Sequence, residues 1–135
     1  MRAFSRASEL SPLGAELSWL PDSEARAIYQ RVERRMRRDS YALDAHQFHA
    51  IEIAPAGDIR RVRAWLAERI GPAERLFVVF DRESVGAMSA ASFLDHWQDM
   101  FVPARDDVLI TNEPESWTLF YYHEDQFHFG RTKCA

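Results

Sequence analysis

Trp117-Thr118-Leu119-Phe120-Tyr121-Tyr122-His123-Glu124-Asp125-Gln126-Phe127-His128-Phe129-Gly130-Arg131 is the stretch whose reading decides the fold. Two aromatic-rich runs flank a short acidic turn, the signature of a β-hairpin. A two-residue loop at Glu124-Asp125 predicts that His123 pairs with Gln126, Tyr122 with Phe127 and Tyr121 with His128. Side chains alternate across a strand. One face would then carry Phe120, Tyr122, Phe127 and Phe129 and read as core. The other would carry Trp117, Leu119, Tyr121, His123, Gln126 and His128, large amphipathic rings beside two imidazoles. That second face is either a half-exposed binding surface or one covered by the N-terminal arm or a helix.

Upstream of the hairpin, Val108-Leu109-Ile110-Thr111 reads as a short strand, and 112–115 reads as a turn. Leu76-Phe77-Val78-Val79-Phe80 is an unbroken apolar run too short for a helix, so a central strand buried on both faces is expected. Ile51 and Ile53 alternate with Glu52 in a strand over 48–53. One helix precedes these runs and two more separate them. The first starts at a cap on Asp22 or Ser23 and carries the stripe Ile28, Val32 and Met36. The second starts at Asp58, carries Ile59, Val62, Leu66 and Ile70, and stops at Gly71-Pro72. The third starts at Ser89, turns Phe93, Trp97 and either Met100 or Phe101 inward, and ends before Pro103. The fold class expected is α+β: one domain over 1–135 with a mixed sheet of about five strands, a C-terminal antiparallel meander and three main helices. Residues 1–20 read as an arm packed on the domain, and 132–135 as a frayed tail.

Composition limits the function classes. Hydrophobic residues are 47% and charged residues 28% of 135, an ordinary globular balance that argues against disorder. No apolar run is long enough for a membrane span or a secretory signal. The single cysteine, Cys134, has no partner for an internal disulfide, which points to a reducing compartment, most simply the cytoplasm.

The formal net charge of −4 is unevenly spread. Residues 1–40 hold eight arginines against six acids, and 41–80 balance at zero. Residues 81–125 hold ten acids against Arg82 and Arg105, a local −8. Asp106, Asp107, Glu113, Glu115, Glu124 and Asp125 in this segment alternate with Trp117 and Tyr121. Aromatic anchors among carboxylates are the composition of a surface for a cationic protein partner. A solvated face that only keeps the chain soluble has the same composition.

Other chemistries find less support. There is no G-x-S-x-G elbow, P-loop or G-x-G-x-x-G, so no enzyme class is indicated. Asp95 and Asp99 share a helix face but read as solvated, and no cofactor is implied. Arg34-Arg35-Met36-Arg37-Arg38 and Arg60, Arg61 and Arg63 are basic clusters that could meet phosphates. However, sixteen of the seventeen basic residues are arginine in an acidic chain, so no nucleic-acid partner is expected. His123 and His128 are the candidates for a metal or small-molecule site, without an HExxH motif or a cysteine pair to complete it. His46 and His49 form a further H-x-x-H pair. The outer hairpin face could also serve a homo-oligomer.

The size, the order of helices and strands, and the pattern from Trp117 to Gly130 resemble the small immunity proteins of bacterial polymorphic-toxin systems, of the contact-dependent inhibition type. The resemblance spans mainly residues 76–131 and carries no individual contact residue with it. It implies a small cytoplasmic domain that binds and blocks a cognate toxin. A basic nuclease is one such toxin, because its active site must itself attract phosphate.

Overall fold

Among the described residues seven strands form one sheet, and every hydrogen-bonded neighbour in it is antiparallel. The structure is a computed structural model and describes residues 17–39 and 42–133. The strands are β1 (Ser18–Trp19), β2 (Phe48–Pro55), β3 (Arg75–Asp81), β4 (Ser84–Ser89), β5 (Val108–Asn112), β6 (Trp117–Tyr122) and β7 (Gln126–Thr132). The helices are α1 (Asp22–Glu33), α2 (Ile59–Arg69) and α3 (Ala90–Met100), with a 3-10 turn at Ala45–Gln47. The sheet order is β1-β4-β3-β5-β6-β7-β2. Among the described residues no helix is long and apolar enough to cross a membrane.

The α+β class holds, but two expected details do not. The sheet has seven strands rather than about five, and it is antiparallel rather than mixed. The two extra strands pair with each other. β4 reads Ser-Val-Gly-Ala-Met-Ser, poor in strand formers and interrupted by Gly86, so its sequence carries little signal. Gly86 has its reason in packing: a Cβ there would lie 2.5 Å from Cδ1 of Leu17. β1, two residues long, lies within the expected arm; residues 1–16 of that arm lie outside the described residues.

A mixed sheet was expected because helices join successive strands. The crossovers β2–α2–β3 and β4–α3–β5 do join strands that run in the same direction. In the sheet, however, β7, β6 and β5 lie between β2 and β3, and β3 lies between β4 and β5. Same-direction strands therefore never touch.

The helices cover both faces. Val62, Leu66 and Ile70 of the α2 segment join Phe93, Trp97 and Met100 of α3 against Val78, Ile110, Leu119, Phe127 and Phe129. Ala25, Ile28 and Val32 of α1 pack on Val79, Val85, Ala87, Leu109 and Phe120. β3 is buried on both faces, as its apolar run predicts. Asp58 and Ser89 cap α2 and α3, accepting from the N–H groups of Arg61 and Ser92 at 3.1 Å. α1 differs from expectation at both ends. Pro21 is its N-cap, and the helix stops at Glu33, before Met36. Met36 instead bridges to Leu43, and the reversal brings Leu43 into the core beside Phe48.

The hairpin register also differs from expectation. The loop has three residues, His123-Glu124-Asp125, so Tyr122 pairs with Gln126, Tyr121 with Phe127 and Phe120 with His128. Asp125 takes a left-handed conformation, φ 60°, and donates its N–H to the Tyr122 carbonyl at 2.9 Å. This is the three-residue loop in which a turn ends on a left-handed residue, a conformation aspartate tolerates better than most side chains. One residue of slip flips every side chain of a strand. Trp117, Leu119, Tyr121, Phe127 and Phe129 therefore share the α2/α3 core. Phe120, Tyr122, Gln126 and His128 share the other face.

At the C-terminus, Thr132 closes β7 and the Lys133 N–H donates to the Gln47 carbonyl at 3.0 Å, so these two residues are paired rather than frayed. Residues 134–135, with Cys134, lie outside the described residues.

Gly130 lies under Phe48, where a Cβ would meet Cδ1 at 2.6 Å and Cγ at 2.7 Å. Relief would require moving a buried ring near its root. Gly130→Ala is expected to lower stability by about 1–3 kcal/mol in denaturant unfolding. An unchanged midpoint would show that the ring has room to move.

Candidate functional site

Strand directions sort the loops into two ends. Pro55 pairs with Gln126, Val108 with Tyr121 and Val79 with Leu109. The loops 56–58, 82–83, 101–107 and 123–125 therefore gather at one end, called here the hairpin end. The β5–β6 turn lies at the other, about 17 Å away along β6.

The eight residues expected to form one partner surface do not lie together. Glu113, Glu115 and Trp117 belong to the far end. Asp106, Asp107, Tyr121, Glu124 and Asp125 belong to the hairpin end. Trp117 and Tyr121 are also buried, so neither supplies exposed anchor area. Helix cover is the reason, since the β6 face that carries both rings packs under α2 and α3. Tyr121 stacks on Phe101 at 4.8 Å and donates its hydroxyl to Asp125 at 2.8 Å. Burial, and then that hydrogen bond, push its phenol well above the ordinary value.

Most of the carboxylates have internal partners. Asp106 is buried and accepts from the Val102 N–H and from both Nε and Nη2 of Arg105. Asp107 accepts the His123 N–H at 2.9 Å and lies 3.0 Å from His123 Nδ1. Glu113 pairs with Arg75 at 3.0 Å in the open. Glu115 takes Arg35 at 2.6 Å and Arg31 at 2.8 Å. Asp95, on α3, pairs with Arg63 of α2.

Arg35 is the residue that sequence reading missed. Its side chain is only 11% exposed, and Nη1 reaches Thr118 Oγ1 at 3.0 Å and Thr111 Oγ1 at 3.5 Å. In the sequence it is one arginine in a basic run whose chemistry suits phosphates. The signal was in the strands, where Thr111 and Thr118 stand directly opposite each other in otherwise apolar runs. Together they make a polar seat on a buried face.

The histidines do not converge. His123 lies in the loop against Asp107. His128 is buried edge-on to Phe120 at 5.7 Å, with the Tyr122 ring 4.4 Å from one imidazole and 5.7 Å from the other. Among the described residues no three His, Cys, Asp or Glu side chains could hold a metal ion. Burial holds the His128 imidazole below its ordinary value.

The hairpin end retains a distinctive surface. Its four loops carry six carboxylates against two guanidiniums, a formal −4. Glu124 is exposed at the tip, and its hydrogen bond with Tyr122, more than burial, raises that phenol. The neighbouring loops grip the tip: Ala56 N–H donates to the Asp125 carbonyl at 2.9 Å, and Ala104 N–H to the His123 carbonyl at 2.7 Å. Ala104 is itself left-handed at φ 68°. Beside these grips stand two exposed apolar side chains, Ile59 at 49% and Val102 at 44%. No protein-family model matches the chain, and no curated protein matches it either.

Two outcomes follow from the carboxylates and His128. Glu115→Gln leaves the Arg35 guanidinium without its anion and is expected to cost about 1–2 kcal/mol in denaturant unfolding. Glu113→Gln, in the open, is expected to cost under about 1 kcal/mol. For His128 the folded state binds a proton less readily than the unfolded chain. Its contribution is present above about pH 6.5 and is lost as pH falls through the lowered folded value. His128→Phe is therefore expected to flatten the loss of stability between about pH 7 and about pH 5.

Proposed function

We propose that this chain is a non-catalytic protein-binding domain, an immunity-type inhibitor that neutralises a basic bacterial toxin in the cytoplasm. The observation that carries the reading is the hairpin end. The chain's formal −4 is matched by the charge of four neighbouring loops, and exposed Ile59 and Val102 stand among them. Charge at such a patch steers a cationic partner and raises its association rate, while apolar side chains hold it once desolvated.

The residues assigned to contact are narrower than the acidic segment as a whole. Glu124, Asp107 and Asp125 supply charge, and Val102, Ile59 and the half-buried Tyr122 supply contact area. Asp106 positions the 102–106 turn from within, and Tyr121 positions Asp125. Glu113 and Glu115 lie at the far end with arginine partners. A basic nuclease suits this surface, because its own substrate site must be cationic. The reading calls for no cofactor, nucleic acid or membrane.

The test is binding kinetics with a cationic protein that the purified chain captures in a pull-down. Glu124→Lys combined with Val102→Lys is expected to slow association about tenfold or more at low salt and to weaken its salt dependence. Glu113→Lys should leave both unchanged. Equal rates for all three proteins, or an effect from Glu113 alone, would overturn the assignment.

A further inference from the structure

β2 forms one edge of the sheet, and among the described residues no strand pairs with its outer side. The direction of its backbone groups follows from the other side. Ala56 N–H donates to the Asp125 carbonyl, and the same register runs on through Ala54 opposite Phe127 and Glu52 opposite Phe129. Hydrogen-bonding groups alternate along an antiparallel strand. Glu52 and Ala54 therefore direct theirs at β7, while Ile51, Ile53 and Pro55 direct theirs outward. On the sheet face, Ile51, Ile53 and Pro55 also point to one side. There Ile53 is 58% exposed, the highest value of any large apolar side chain among the described residues. The one charge in the segment, Glu52, is on the other face and is held by Arg69 of its own chain at 2.8 and 3.2 Å.

We propose that β2 pairs antiparallel with β2 of a second copy of this chain, about a two-fold axis through Ile53. This register is the one that the segment's own pattern permits. It sets Ile53 opposite Ile53, Ile51 opposite Pro55, and the neutralised Glu52 opposite Ala54. The two Ile53 residues exchange N–H and C=O, and each Ile51 N–H reaches a Pro55 carbonyl. Proline lacks an N–H, but this register asks it only to accept; the Ile51 carbonyl stays with water. Centring on Glu52 would set two carboxylates against each other. Centring on Ile51 would run into the irregularity between Phe48 and Ile51.

Hydrogen-bond complementarity thus selects the same segment in reverse as the occupant, with no carboxylate set against its own copy. The paired strip is short, so the dimer is weak and concentration-dependent rather than obligate. Edge strands that associate in this way are usually guarded by charge or proline. Here the charge faces away, and the proline sits where only its carbonyl is needed.

The experiment is light scattering with sedimentation on the full chain across a wide concentration series. The mass is expected to climb from one chain toward two. Ile53→Lys should return it to one at every concentration. Ile53→Pro should do the same, since it removes an N–H that β7 does not use. Thermal unfolding of both variants should match the parent, because the side chain is mostly exposed. In a Cys134→Ala background, Ile53→Cys should cross-link to its own copy under oxidation. A chain that stays monomeric throughout, or a dimer that survives both Ile53 variants, would overturn the proposal. Neither result bears on the hairpin-end reading, which uses other residues.

Discussion

The Asp125 N–H donating to the Tyr122 carbonyl, with Asp125 in a left-handed turn, fixes the register of β6 against β7. Much else depends on it. With a three-residue loop, Phe127 and Phe129 fall on the same face as Trp117, Leu119 and Tyr121. Those five side chains make the floor on which α2 and α3 pack. Tyr121 can then reach back to Asp125, and Phe101 can stack on Tyr121. The same register leaves Phe120 and His128 on the α1 side. Slipping the pairing by one residue would put two phenylalanines on the wrong face and strip Phe127 and Phe129 from the surface on which α2 and α3 pack.

Charge is the second organising constraint. The arginine-rich front of the sequence and its acidic rear meet in the folded chain. Arg31 and Arg35 of the α1 region hold Glu115, Arg63 of α2 holds Asp95, and Arg75 of β3 holds Glu113. Those four arginines halve the local −8 read from residues 81–125. What remains open to a partner is the smaller group of carboxylates around the hairpin tip. These pairs differ in weight. Arg35 lies under cover on two threonine hydroxyls, where an unmatched charge is costly, whereas Arg75 and Glu113 sit in water and contribute little.

Legibility in the sequence followed the strength of local signals. α2 and α3 were readable because Asp58 and Ser89 cap regular apolar stripes. β3 was readable because five apolar residues run unbroken. β4 was not, because its residues are poor strand formers and Gly86 answers to packing against Leu17. The antiparallel sheet was hidden because strand order is set by long-range packing, and crossovers that skip neighbours look like crossovers that do not. The candidate site was legible as composition and illegible as geometry. Asp107, Glu124 and Asp125 stood out as acids near aromatics. Which aromatics shared a face turned on one loop residue, and an aspartate in a left-handed turn has no separate mark in the sequence. Val102 gave no signal, and Ile59 read as part of the inward stripe of α2 although it is 49% exposed at the first turn, since exposure belongs to the folded chain.

The register itself is the claim to test most directly. In this pairing Tyr121 and Phe127 form a pair without mutual hydrogen bonds, because the backbone groups of Phe127 are turned toward β2. Such pairs bring their Cα atoms to about 4.5 Å. A nuclear Overhauser spectrum of the labelled protein should show a strong Hα–Hα contact between Tyr121 and Phe127. A strong contact from Tyr121 to His128, or from Tyr122 to Phe127, would mean a two-residue loop and would contradict the account of the core and of the hairpin end alike.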